Sequence, residues 1–197
     1  LMKKLLVEKV SDKLVNAFLK NKTIPPIPKK FTKKLTEADK FRKLCENKIK
    51  EPVIGFKVEG TGIPLMKKLK AKELFYASVY KKKCITSFGD LSSDFGRIVK
   101  FLIGQKKKYK RINIENLKAN IANKKTKQNI TGNTNAVYIN PLNSLRFVLN
   151  KIKKDKTKLN KDFYVFTGST VGAVLILGKG LNTGKIEKLG SVKAIIS

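Results

Sequence analysis

The only clustered side chains suited to bond-making chemistry are Asp90, Ser92, Ser93 and Asp94, in the stretch GDLSSDFG. A hydroxyl nucleophile needs a neighbouring base, and the usual one near neutral pH is histidine. The chain has no histidine, which also removes the imidazole as a metal ligand. Cys45 and Cys84 lie far apart with no CxxC pairing, so these two thiols read as core filling, not as a metal site. No metal, cofactor or catalytic group is expected, and an enzyme is the reading that these residues favour least.

What the sequence does offer is positive charge. It has 45 Lys and Arg against 14 Asp and Glu, a net +31 over 197 residues, and only Arg42, Arg97, Arg111 and Arg146 are arginine. Such a charge repels itself in the compact state, and a polyanion relieves the repulsion. RNA or DNA is the expected partner, because neutralised phosphates release their counterions. An anionic membrane surface or an acidic protein partner stays open beside it. Abundant Lys, Asn and Ile with no Trp suit an AT-rich genome, and Leu1 ahead of Met2 suits either an organellar leucine start or a trimmed N-terminus. No apolar run reaches membrane-spanning length. The longest, Val171 to Leu177, is interrupted by a glycine. The opening LMKKLLVEKV has no cleavage site of a secretory signal.

The elements that would carry this charge can be read along the chain. Leu5, Leu6, Val10, Leu14, Val15, Phe18 and Leu19 recur at helical spacing and predict a helix over residues 2–20. Residues 21–34 hold three prolines within four positions and are extended. Thr36 with Asp39 reads as a helix start, Phe41, Leu44, Cys45 and Ile49 as its apolar stripe, and Pro52 as its stop. Strands are expected at Val53–Val58, within Leu69–Tyr80, within Lys82–Phe88 and at Ile98–Ile103. Two helices on an antiparallel four-stranded sheet is the α+β arrangement this implies for residues 1–107. Residues 108–197 are expected to form a C-terminal α/β extension, with weak helical spacing at Ile114, Leu117 and Ile121. A helix after Pro141 follows, and strands at Tyr164–Phe166, Val171–Leu177 and Val192–Ile196. Within this part, GAVLILGKGLNTGKIEKL superficially imitates a GxxG phosphate clamp, although glycine-rich turns after a strand are common.

The order of these motifs resembles the C-terminal domain of the ribosomal small-subunit protein S-three family, in its mitochondrion-encoded form. Gly55, Lys57, Val58, Glu59, Thr61 and Gly62 fit the family's first strand; Ala71, Lys72 and Tyr76 fit its second; Phe95, Gly96, Ile98, Lys100 and Ile103 fit its last. LVEKVSDKLVNAFL is similar to the family's entering helix, so the likeness covers residues 5–107. Gly62-Ile63 replaces the family's Gly-Arg, residues 21–35 look inserted, and the K-homology domain that normally precedes is absent.

The resemblance implies a structural constituent of the mitochondrial small subunit, in the head where messenger RNA enters, and not an enzyme. Its partners would be ribosomal RNA, messenger RNA, neighbouring head proteins and a separate chain carrying the missing half. Lys40, Arg42 and Lys43, reinforced by Lys33 and Lys34, would grip messenger; Lys67, Lys68, Lys70, Lys72, Lys81, Lys82, Lys83, Lys106, Lys107, Lys108 and Arg111 would lie on ribosomal RNA. Lysine suits both tasks as a point charge that follows phosphate without reading bases. A free nucleic-acid-binding or packaging protein is the alternative.

Overall fold

The computed structural model describes residues 2–20, 22, 24–25, 27–28, 31, 35–59, 61–62, 66–67, 74–80, 83–84, 102–106, 108, 112–159, 162–172 and 178–196, with the backbone path alone for 2–4, 35–36, 59, 75–77 and 83–84. Its elements in chain order are α1 (Met2–Leu19), α2 (Leu35–Lys48), β1 (Gly55–Glu59), β2 (Phe75–Tyr80), β3 (Lys83–Cys84), β4 (Lys118–Asn123), β5 (Gln128–Asn133), a 3-10 turn at Thr134–Ala136, α3 (Pro141–Asp155), β6 (Tyr164–Phe166), β7 (Gly180–Ile186) and β8 (Gly190–Ile196). The class is α+β; among the described residues the elements include these three helices and two four-stranded sheets.

The chain divides into two compact units, each assembled from three stretches. The first takes Leu1–Lys57, Phe75–Lys100 and Lys158–Phe166; the second takes Val58–Leu74, Phe101–Thr157 and Thr167–Ser197.

In the first unit α1 and α2 share an apolar core. Leu14, Val15 and Phe18 of α1 meet Phe41 and Cys45 of α2, with Ile27, Phe31, Ile49 and Tyr80 closing the cluster. Burying each such large side chain contributes about 1.5–3 kcal/mol. Phe31 stacks on Phe41 at 5.4 Å, and Phe18 meets Tyr80 edge-on at 5.9 Å. Leu5, Leu6 and Leu19 remain exposed, so the buried stripe of α1 is narrower than its spacing suggests. Lys48, in the last turn of α2, ties the helices together through Glu8 Oε2 (2.6 Å), Asp12 Oδ1 (2.7 Å) and Ser11 Oγ (2.6 Å). Burial works against its charge, but the hydrogen bonds it donates to Asp12 and Glu8 hold the ammonium above the usual lysine range. The helix stops at Lys48, four residues ahead of Pro52.

The first sheet runs β3-β2-β1-β6. It is mixed, not antiparallel throughout: β6 joins β1 in parallel, Gly55 opposite Tyr164 and Lys57 opposite Phe166. A Cβ on Gly55 would land on the Tyr164 carbonyl, so the glycine permits that approach. The strand expected at Ile98–Ile103 lies mostly outside the described residues; Leu102 and Ile103 are exposed and irregular.

The second sheet, β5-β4-β7-β8, is antiparallel throughout. Residues 118–123, within the stretch of weak helical spacing at Ile114, Leu117 and Ile121, form β4 instead and pair with β5 as a hairpin. Asn123, 1% exposed, organises the turn: its Oδ1 accepts from Lys125 N (2.9 Å) and Thr126 N (3.2 Å), while its Nδ2 donates to the carbonyls of Gly178 (3.1 Å) and Lys179 (3.2 Å). Of the segment that imitated a phosphate clamp, Gly180–Ile186 forms β7, and residues 173–177 lie outside the described residues. Helix α3 starts as its sequence dictates, with the Asn140 side chain accepting from Leu142 N (2.9 Å) and Pro141 in the first turn. It buries Pro141, Ser144, Val148 and Ile152. Among the described residues no helix is long and apolar enough to cross a membrane.

Candidate binding face on the second sheet

Residues that face each other across an antiparallel ladder share one side of the sheet, and alternate residues along a strand share it too. The register therefore sorts the second sheet into two unlike faces. One carries Ala119 and Ile121 of β4, Ile130 and Gly132 of β5, Gly184 and Ile186 of β7, and Val192 and Ala194 of β8. The Thr170 carbonyl closes on this side, accepting from Asn133 N at 3.0 Å, and a Cβ on Gly132 would collide with it.

The opposite face is polar around β4 and β5, with Ala122, Leu181 and Ile195 on the same side. Lys118 and Asn120 of β4 stand beside Asn129 and Thr131 of β5 and beside Lys185 of β7, with Ser191 and Lys193 beyond. Asn120 is paired directly with Thr131 on one side and Lys185 on the other. Asn120 Nδ2 donates to Asn129 Oδ1 at 3.2 Å, which fixes both amides. Lys118 is the diagonal neighbour of Lys185 on this face, a spacing of roughly 7–8 Å between the strand positions. Glu187 closes the end: its backbone N–H donates to the Lys118 carbonyl (2.9 Å) and its Oε2 accepts from Lys118 N (3.3 Å).

A cavity of about 600 Å³ lies over this face, lined by Lys118, Asn120, Asn129, Thr131, Lys185 and Glu187 with the backbone of Ala119 and Gly132. Its size is that of a small-molecule site. The cavity is open to solvent, and Lys118, Asn129, Thr131, Lys185 and Glu187 on its border are exposed. Among the described residues no group of three His, Cys, Asp or Glu side chains is placed to hold a metal ion.

None of these residues was among the sequence candidates. Of those candidates, Lys40 is exposed on α2, Lys43 reaches Asp39 at 3.6 Å, and Lys67, Lys106 and Lys108 are exposed. Arg42 points inward: its side chain is 1% exposed, Nη2 lies 2.8 Å from Asp39 Oδ1 and Nη1 is bonded to Glu46. Lys83 sits on β3. Lys33, Lys34, Lys68, Lys70, Lys72, Lys81, Lys82, Lys107 and Arg111 lie outside the described residues, as do Asp90, Ser92, Ser93 and Asp94. The signal for the polar face is present in Lys118–Ile121 and Asn129–Gly132, where polar residues alternate with apolar ones or glycine at the period of a strand.

No family model and no curated protein matches the sequence. Solved structures do match. 4-Oxalocrotonate decarboxylase from Pseudomonas putida G7, complexed with magnesium and adipate, aligns at a TM-score of 0.75 over 98% of this chain and 97% of its own, with 15% identity. The same enzyme complexed with calcium and acetate aligns at 0.75 over the same shares, with 14% identity.

At that identity the likeness shows the fold, and this corrects the expectations built on the ribosomal resemblance. The S-three family likeness is overturned, because a single fold runs through 98% of the chain and not through its first 107 residues alone. Physically, the motif strand β1 takes β6, from the far end of the sequence, as its parallel partner, so the matched segment does not complete its own sheet. The scaffold is one that carries an enzyme, which overturns the non-enzymatic reading as well. With it go the roles in translation and RNA binding, the free packaging alternative, and the ribosomal RNA, messenger RNA and ribosomal-protein partners. The net charge of +31 was real, but charge alone does not tell a polyanion from a small one.

Proposed function

We propose that the chain is an enzyme that binds a short dicarboxylate over Lys118 and Lys185 and releases carbon dioxide from it. The observation that carries this reading is the gathering of two lysines, two asparagine amides and a threonine hydroxyl about one cavity on a hydrogen-bonded sheet. The solved neighbour is a decarboxylase, and its complex contains adipate, a dicarboxylate.

The chemistry follows from the groups. Ammonium ions set diagonally across β4 and β7 each engage one carboxylate by a charge-assisted hydrogen bond. Asn120, Asn129 and Thr131 supply neutral partners for the remaining oxygens. Loss of carbon dioxide breaks a carbon–carbon bond and leaves its electron pair on the substrate. A carbonyl conjugated to that carbon takes the pair as an enolate oxygen, and water then protonates the carbon. The Asn120 amide and the Thr131 hydroxyl, both hydrogen-bond donors, stabilise the charge that develops on that oxygen. The positive field of the whole chain raises the local concentration of such an anion.

The test is calorimetric titration of the full chain with adipate, together with carbon dioxide release from 4-oxalocrotonate. Saturable binding and release above that of the Lys118→Met/Lys185→Met double variant are expected. Neither binding nor release would overturn the reading.

A further inference from the structure

We infer that the open edge of the second sheet, at Lys193–Ile196 of β8, docks an extended acidic segment of a partner protein as a fifth strand. The inference does not depend on the dicarboxylate reading.

Strand β8 ends the order β5-β4-β7-β8, and among the described residues it pairs with β7 alone. In such a strand every second residue turns its N–H and C=O away from the ladder, where another chain can pair with them. The far edge of the sheet differs. There the Thr170 carbonyl accepts from Asn133 N at 3.0 Å and covers the end of β5. Along β8, a Cβ on Gly104 would lie 3.0 Å from Val192 Cγ1, so the segment around Gly104 passes at that residue. Beyond it Lys193 and Ile195 are exposed.

The side chains on this edge select the partner. The register sets Ile195 beside Leu181 and Lys193 beside Thr183, all on one side of the sheet. Ile195 is 82% exposed, more than any other large apolar side chain among the described residues, and Leu181 is 37% exposed. Lys185, opposite Ser191, is the diagonal neighbour of Lys193. An incoming strand therefore meets an apolar contact at one position and ammonium groups two positions along. Opposite charges across a strand pair are favourable and like charges unfavourable. A second copy of this chain, paired antiparallel about Lys193, would set ammonium against ammonium, and each copy carries +31. An acidic strand gains from the local pair and from the field of the whole chain. Its main chain supplies the hydrogen bonds, and its alternate side chains the selectivity.

The probe is the peptide Thr-Val-Val-Glu-Val-Glu, labelled with fluorescein and followed by anisotropy as the full chain is added at about 0.15 M salt. Saturable binding is expected, with slower amide exchange at Lys193–Ile196 in the complex. Lys193→Glu should weaken it about fivefold and Ile195→Ser about threefold, the scale of cross-strand pairs. Lys40→Met, which removes an exposed charge from α2, should bind as the parent does. The same peptide with its backbone amides N-methylated keeps the carboxylates but cannot donate to a ladder, and it should not bind saturably. Circular dichroism of each variant controls for folding. Equal affinity for the N-methylated peptide would reduce the contact to charge adhesion and overturn the inference. So would no binding of the parent peptide, or sedimentation showing that a second copy already pairs along β8.

Discussion

Replacing Arg42 with methionine tests the packing of the first unit and the inward role of a residue whose charge suggested an outward one. The guanidinium is 1% exposed; its Nη2 and Nε lie 2.8 and 3.3 Å from Asp39 Oδ1, and Nη1 bonds Glu46. Asp39 is 35% exposed and can rehydrate once the arginine is gone. Glu46 is 12% exposed and also accepts from Ser78 N at 3.0 Å, so its charge stays enclosed. A solvated pair at this helical spacing is worth ~0.3–0.5 kcal/mol, while breaking a buried pair costs ~3–5 kcal/mol. With one partner enclosed and one half-open, about 2–3 kcal/mol is the expected loss. For a chain of this size that lowers Tm by about 4–12 °C. Methionine keeps much of the apolar stem, which isolates the charge. Adding Glu46→Gln removes the stranded carboxylate and keeps an acceptor for Ser78, so the double variant should recover part of the loss. The assay is thermal unfolding by circular dichroism at helical wavelengths. A fall below about 1 °C, or no recovery in the double variant, would refute the reasoning.

Two further outcomes are expected. Burial pushes the Cys45 thiol up to about 12, with Lys48 pulling the other way and Glu46, Asp12 and Glu8 adding to the rise. The unfolded thiol ionises near 9, so the folded form keeps its proton longer and stability is lost as pH rises from 9 towards 12, by at most about 1.4 kcal/mol per pH unit. Denaturant unfolding at stepped pH should show that slope, and Cys45→Ala should flatten it whatever its absolute stability. Ile139 has a φ of 68° and a 57% exposed side chain, an uncomfortable conformation for a β-branched residue. Ile139→Gly should therefore stabilise the chain by about 1 kcal/mol, read as a rise in Tm of about 2–4 °C. An unchanged or lower Tm would show that the backbone there is not strained.

Local patterns in the sequence were legible where local forces decide the structure. Helix α1 follows from its apolar spacing, and α3 from Asn140, Pro141 and the recurrence of Val148 and Ile152. Strands β6 and β8 were visible as short apolar runs. The β4–β5 hairpin was misread because asparagine is a poor strand former and Ile114, Leu117 and Ile121 happen to fit a helical spacing. What mattered there was the period of two, which puts Ala119 and Ile121 on one side and Lys118 and Asn120 on the other. The parallel pairing of β1 with β6 leaves no local trace, since it joins segments over a hundred residues apart. Only Gly55 hints at it, and a glycine in a strand signals close approach without naming the partner. The candidate site was lost for the same reason. Lys118 and Lys185 are two among many lysines until the register of β4 and β7 sets them diagonally on one face.

Amide chemical shifts of the isotopically labelled full chain, followed as adipate is added in EDTA, test the account most directly. The account predicts saturable shifts concentrated at Lys118, Asn120, Asn129, Thr131 and Lys185, the lining of one cavity. Shifts absent throughout, or gathered on α1 and α2 with the sheet unmoved, would contradict it.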